Sequence, residues 1–227
     1  MTAKICVAFF PETITEALRL VEQIESWKPD FIEVRLDRFK DHDKLADVAN
    51  HAKTPLIATN RSADCQGGFL GNETERQRIL LEAARNGFKY VDIELSTSRL
   101  KEFVKKLRLM TAKPIISFHD FEETPSISKM REVLEKEIDS GAEVCKIVTT
   151  AKSIEDNLTV LNFLSKASRS AKTVCFSMGE LGKPSRLLSP LFGGYFTIVS
   201  MGHGKETAAG QLTIKEMRTA YQALERV

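Results

Sequence analysis

The sequence predicts an α/β protein built as a single (β/α)₈ TIM barrel over residues 1–227, on three observations. Eight short apolar runs rich in β-branched residues alternate with segments whose apolar residues recur at helical spacing. Successive runs begin roughly 23 to 35 residues apart, the length of a strand, a helix and the return to a parallel neighbour. The first run, ICVAFF, passes straight into PETITE with no Gly-x-Gly-x-x-Gly. That favours a barrel over the open doubly wound sheet that the alternation would also fit.

In chain order the predicted strands are ICVAFF (5–10), FIEVRLD (31–37), PLIATNR (55–61), YVDIEL (90–95), PIISFHD (114–120), EVCKIVTT (143–150), KTVCFSM (172–178) and YFTIVSMG (195–202). Stretches such as ITEALRLVEQIESW and SIEDNLTVLNFLSKAS fill the intervals as amphipathic helices. Thr13 with Glu16, Asn72 with Glu75 and Thr213 with Glu216 each set a capping side chain three residues before a glutamate, the signal of a helix start. The longest irregular segments, SADCQGGFLGN and GHGKETAAGQ, follow the third and eighth strands, where a barrel keeps its active-site loops.

Composition narrows the function. With 33 Lys+Arg against 31 Asp+Glu the net charge is +2, and no basic run marks a nucleic-acid surface. The opening apolar run stops at Pro11, too short for a signal-peptide core, and nothing approaches the roughly 20 apolar residues of a membrane span. A soluble cytoplasmic protein without nucleic-acid or membrane partners is expected. Cys6, Cys65, Cys145 and Cys175 are widely spaced, which predicts reduced thiols, mostly buried, and no His, Cys or carboxylate spacing suggests a metal site.

Side chains alternate along a strand, so residues two apart share a face. This puts Glu33, Arg35 and Asp37 together, opposite Ile32, Val34 and Leu36. It likewise joins Asp92 to Glu94, Ser117 to His119, and Lys146 to Val144 and Val148. A single strand with alternating charge is ordinarily half exposed. In a closed barrel neither face meets solvent except at the ends, so charges on many strands must meet one another or a ligand. Lys146 then has two accounts: an ion pair with Glu33 or Glu94, or a nucleophilic amine whose basicity is lowered by apolar surroundings and cations such as Arg35. An amine of that kind attacks a ketone or aldehyde and forms a Schiff base, an electron sink that loosens the proton on the next carbon. His119, one strand earlier, suits the base that removes it, although a lone histidine is more often a core residue. The pair suggests aldolase-like or dehydratase-like chemistry without a cofactor. Arg186, after strand 7, could clamp an anion or lie at the surface, and the glycines of SMGELG and SMGHG could serve a phosphate or simply turn the chain.

These residues carry a resemblance. The E-x-R-x-D strand (Glu33, Arg35, Asp37), R-S…G-G (Arg61, Ser62, Gly67, Gly68), D-x-E-L (Asp92, Glu94, Leu95), S-x-H-D-F (Ser117, His119, Asp120, Phe121), K-I (Lys146, Ile147), S-M…S-R (Ser177, Met178, Ser185, Arg186) and A-x-G-Q (Ala208, Gly210, Gln211) occur in order on separate strands or loops. Together they make the chain similar to the type I 3-dehydroquinate dehydratases of the shikimate pathway, lyases of aromatic amino acid biosynthesis. The resemblance implies a barrel, usually a homodimer, that dehydrates 3-dehydroquinate to 3-dehydroshikimate through a Schiff base. By motif, Lys146 forms the imine, His119 is the general acid and base, Glu33, Arg35 and Arg61 hold substrate hydroxyls and the catalytic arrangement, and Arg186 pairs with the carboxylate. Thr207 and Gln211 close over the substrate. Gln66 stands where the family places a glutamate that orients the histidine, with Asp64 and Glu73 as substitutes for it. An aldolase acting on a phosphosugar and a binding barrel without turnover are the competing readings.

Overall fold

The computed structural model describes residues 3–224. Strands and helices alternate throughout: β1 (Ile5–Phe9), α1 (Ile14–Ser26), β2 (Phe31–Arg35), α2 (Leu45–His51), β3 (Leu56–Thr59), α3 (Glu73–Arg85), β4 (Tyr90–Glu94), α4 (Leu100–Leu109), β5 (Lys113–His119), α5 (Ile127–Asp139), β6 (Val144–Thr150), α6 (Asp156–Ala167), β7 (Thr173–Met178), α7 (Lys183–Leu188), β8 (Thr197–Ser200) and α8 (Ile214–Leu224). Every expected strand is present, and several stop short of the apolar run. Asp37, for instance, lies in a 3₁₀ turn after β2. The expected helix starts hold: Thr13, Asn72 and Thr213 accept from the backbone N–H groups of Glu16, Glu75 and Glu216. At Thr213 the glutamate reciprocates, completing a capping box.

All ladders are parallel, in the order β7-β6-β5-β4-β3-β2-β1-β8. No ladder joins β7 to β8 among the described residues; one backbone bond, from Tyr195 N–H to the Thr173 carbonyl at 2.8 Å, spans the seam. The barrel is therefore nearly closed, with its weakest edge beside the loops that follow β7 and β8.

Parity sorts the side chains as expected. Ile32, Val34 and Leu36 belong to the core between sheet and helices, whereas Cys6, Phe31, Ile57, Tyr90, Ile115, Val144, Val174 and Phe196 fill the barrel itself. The floor is aromatic: Phe31 meets Tyr90 edge-on at 5.5 Å and lies against Tyr195 and Phe196. This plug closes the N-terminal end, so the ionised residues above it have one exit, at the strands' C-termini.

Outside the barrel, α5 buries Glu137 completely, with the Cys145 thiol and the Lys146 backbone beside its carboxyl but no well-formed hydrogen bond to either oxygen among the described residues. Burial pushes its carboxyl well above the usual range, so it is a neutral acid in the fold. The unfolded chain ionises this group above about pH 4.3 while the folded protein resists, so its contribution to stability is lost as pH rises toward the folded pKa. Glu137→Met should raise the thermal midpoint by roughly 2–4 °C at about pH 8 and by less near pH 4.5, as read by thermal unfolding at the two pH values.

Candidate active site

Above the aromatic floor the interior turns ionic. β6 aims Lys146 inward, 4% exposed, and its Nζ donates to Asp92 Oδ2 at 2.7 Å. Asp92 Oδ1 accepts from Arg61 Nη2 at 2.7 Å and from Ser117 Oγ at 2.7 Å. Arg61 Nη1 donates to Glu94 Oε1 at 2.8 Å and to Ser117 Oγ at 3.0 Å. Burial alone would raise the Asp92 carboxyl, but Arg61 and Lys146 overcome it and hold that group far below the usual carboxylate range. The carboxylate expected beside Lys146 was Glu33 or Glu94; it is Asp92. Glu33 instead accepts from Thr59 Oγ1 at 2.7 Å, and Glu94 is taken by two arginines. Of the expected apolar neighbours and cations around the amine, Arg35 is itself neutralised by Asp37 through bonds of 2.8 and 3.0 Å.

The remaining expected residues meet in one cavity of about 240 Å³, lined by Glu33, Arg35, Arg61, Gln66, His119, Lys146, Arg186, Thr207 and Gln211 together with Phe121, Phe176 and Met178. His119 ends β5 and stacks on Phe121, with centroids 5.7 Å apart and an interplanar angle of 10°. Burial, reinforced by the Arg61 and Lys146 charges and opposed by Asp92, holds its pKa well below the ordinary value near 6.5. At neutral pH the ring is thus an uncharged base. Its Nδ1 lacks a hydrogen-bond partner among the described residues. Gln66 does not fill that gap. It lines the cavity from a left-handed turn at φ 55°, exposed, with no hydrogen bond to His119 among the described residues. Neither proposed substitute takes its place: Glu73 holds Arg76 at 2.7 Å, and Asp64 is exposed. Phe121 is what orients the ring here.

Arg186 lines the same cavity from the helix that follows β7. Pinning of α7 aims it: Ser177 N–H donates to Ser185 Oγ at 2.9 Å and Ser185 N–H to Asn157 Oδ1 at 2.9 Å, which accounts for the S-R motif. Its guanidinium is 1% exposed, sits 4.4 Å over Phe176 and donates one bond to the Ala209 carbonyl at 3.1 Å; Nε has no partner among the described residues. No carboxylate pairs with it among the described residues, and burial pushes its pKa down to about 9. A buried cation of this kind binds an anion strongly.

The loop after β8 forms the rim. Thr207 N–H and hydroxyl bond the Gln211 amide at 2.7 and 2.8 Å, and Arg35 Nη1 reaches the Thr207 carbonyl at 3.4 Å. Gly210, at φ 74°, lies against Gly179, whose carbonyl a Cβ at 210 would approach to 2.1 Å. Three of the four glycines open to a phosphate role already spend their N–H groups: Gly179 on the Ala209 carbonyl, Gly182 on the Gly179 carbonyl and Gly204 on Glu206. Sequence reasoning missed Arg76, which reaches Glu94 Oε2 from α3 at 2.6 Å. The available signal was its spacing with Ile79, Leu80 and Ala83, the buried stripe of that helix.

The type I 3-dehydroquinase family profile matches residues 5–227. The chain belongs to that family. As a type I 3-dehydroquinase it is a hydro-lyase. A 3-dehydroquinate dehydratase of Dehalococcoides mccartyi is 39% identical over 194 residues, 86% of each chain, and one of Methanococcus maripaludis is 36% identical over 216 residues, 94% of this chain and 96% of the relative. The crystal structure of the 3-dehydroquinate dehydratase from Geobacillus kaustophilus superposes with a TM-score of 0.92 at 27% identity, covering 100% of this chain and 92% of that one.

In this dehydroquinase, Asp92→Ala leaves Lys146 without its carboxylate and Arg61 without one of two. Urea unfolding near pH 7 should register a loss of about 3–5 kcal/mol. Because the folded carboxyl titrates below its unfolded value, that advantage of the wild type persists above about pH 4 and disappears only as the pH falls further.

Proposed function

We propose that the chain dehydrates 3-dehydroquinate to 3-dehydroshikimate through a Schiff base on Lys146, with His119 as general base and then general acid. The observation that carries this reading is that one small cavity holds an amine, a neutral imidazole and a buried unpaired guanidinium. Those groups match the ketone, the acidic proton beside it and the carboxylate of the substrate that the curated relatives are named for.

Lys146 must first give up its ammonium proton, which ends on the ketone oxygen that leaves as water, and the amine adds to the ketone carbon. Loss of water from that adduct leaves an iminium ion, in which the electrons of an adjacent C–H bond can flow toward nitrogen. His119 takes the proton from that carbon, giving an enamine. The enamine electrons return and expel the hydroxyl one carbon farther on, while the imidazolium delivers its proton to the departing oxygen, so water leaves. Hydrolysis of the conjugated iminium releases the enone and restores the amine. The net change is one water lost, and the histidine ends in its starting state. Arg186 holds the carboxylate on the carbon that loses the hydroxyl. Thr207 and Gln211 present a hydroxyl and an amide at the rim, and Glu33, with Thr59 donating to one oxygen, has another to accept a substrate hydroxyl.

Two measurements test this. Adding 3-dehydroquinate should produce the ultraviolet absorbance of an enone, and borohydride present during turnover should leave a mass adduct confined to Lys146; Lys146→Ala should lose both. An active, unlabelled Lys146→Ala protein would sink the proposal. Arg186→Lys keeps a charge but loses the planar fork, so KM should rise roughly 10- to 100-fold with a smaller change in kcat, as read by steady-state kinetics.

A further inference from the structure

One buried cation in the molecule touches neither the cavity nor solvent and yet adjoins the catalytic charges. Arg76, 3% exposed on α3, spends Nη1 on Glu94 Oε2 at 2.6 Å and on the Asn60 carbonyl at 3.0 Å, and grips Glu73 through Nε and Nη2 at 2.7 and 3.0 Å. From there a single file of alternating charge runs inward: Glu73, Arg76, Glu94, Arg61, Asp92, Lys146, with inter-residue contacts between 2.6 and 2.8 Å. Three cations face three anions, so the file is neutral. It begins at Glu73, whose side chain is 38% exposed, and ends at the amine.

We infer that Arg76 is a positioning residue for the amine, acting by deciding which carboxylate Arg61 holds. Glu94 has two oxygens, and each now serves a different guanidinium. Arg61 therefore receives only one of them and keeps Nη2 for Asp92. Without Arg76, both oxygens of Glu94 are available to Arg61, and a guanidinium prefers the bidentate grip of one carboxylate. Arg61 would then turn toward Glu94 and release Asp92, whose charge would fall on Lys146 alone. The file would also carry one uncompensated negative charge. Both changes favour the ammonium form of Lys146, the form that cannot attack a ketone.

This inference rests on the lysine-amine reading above and has its own test. Arg76→Met should lower kcat roughly 10- to 100-fold with KM within about threefold, as removal of supporting residues around a reactive centre commonly does. The acid limb of its kcat pH profile should move to higher pH by about one unit, since the ammonium has gained an anion. Arg76→Lys and the double variant R76M/E94Q keep the file neutral and should leave the limb at its wild-type position. A purely structural arginine would lower the active fraction without moving the limb. If Arg76→Met does not fold, Arg76→Ala, which likewise leaves the second oxygen of Glu94 free for Arg61, carries the same comparison. Borohydride labelling of the wild type separates the two readings: no adduct on Lys146 defeats both, whereas an adduct together with an unmoved limb in folded Arg76→Met defeats this one alone.

Discussion

Asp92 is one carboxylate shared by two cations inside a barrel closed at its floor by aromatic rings, and the site is organised around it. With 2% exposure it could not remain ionised alone, and it is the counter-charge that the buried Arg61 and Lys146 share. The strand register brings them together. Ser117 pairs with Lys146 on one side and with Glu94 on the other, so a hydroxyl from β5 stands between the carboxylates of β4 and the amine of β6. Ser117 bonds both Asp92 and Arg61, which leaves the cluster little freedom to rearrange.

The opposite wall has a different electrical character. Arg186 lies over Phe176, near the β7–β8 seam, and its charge meets no carboxylate among the described residues. A cavity with a neutralised network on one side and an uncompensated guanidinium on the other favours an anion beside Arg186. His119 lines the same cavity, kept uncharged by burial and by the Arg61 and Lys146 charges. The same environment that makes a charged histidine unfavourable makes a neutral one available as a base.

Much of this was legible in the sequence because strand parity is local. Two residues apart means one face, so FIEVRLD, YVDIEL and VCKIVTT declared which charges pointed inward before any neighbour was known. Pairing is not local. That Lys146 meets Asp92 rather than Glu33 or Glu94 depends on the register of three strands and on Thr59 and Arg76 having claimed the other two carboxylates. Arg76 itself hid within a polar helix, although its place on the apolar stripe with Ile79 and Leu80 was visible. Gln66 shows the limit of motif reasoning: its position in the loop was foreseen, but a left-handed turn at an exposed site takes it out of the histidine's support, and the ring rests on Phe121.

The most direct test of the account is a crystal structure of the wild-type protein turned over with 3-dehydroquinate in the presence of borohydride. Density should run unbroken from Lys146 Nζ into the reduced ring, with the substrate carboxylate on Arg186 and a ring nitrogen of His119 within about 3.5 Å of the carbon that lost its proton. A ring linked to another residue, or a carboxylate lodged away from Arg186, would contradict it.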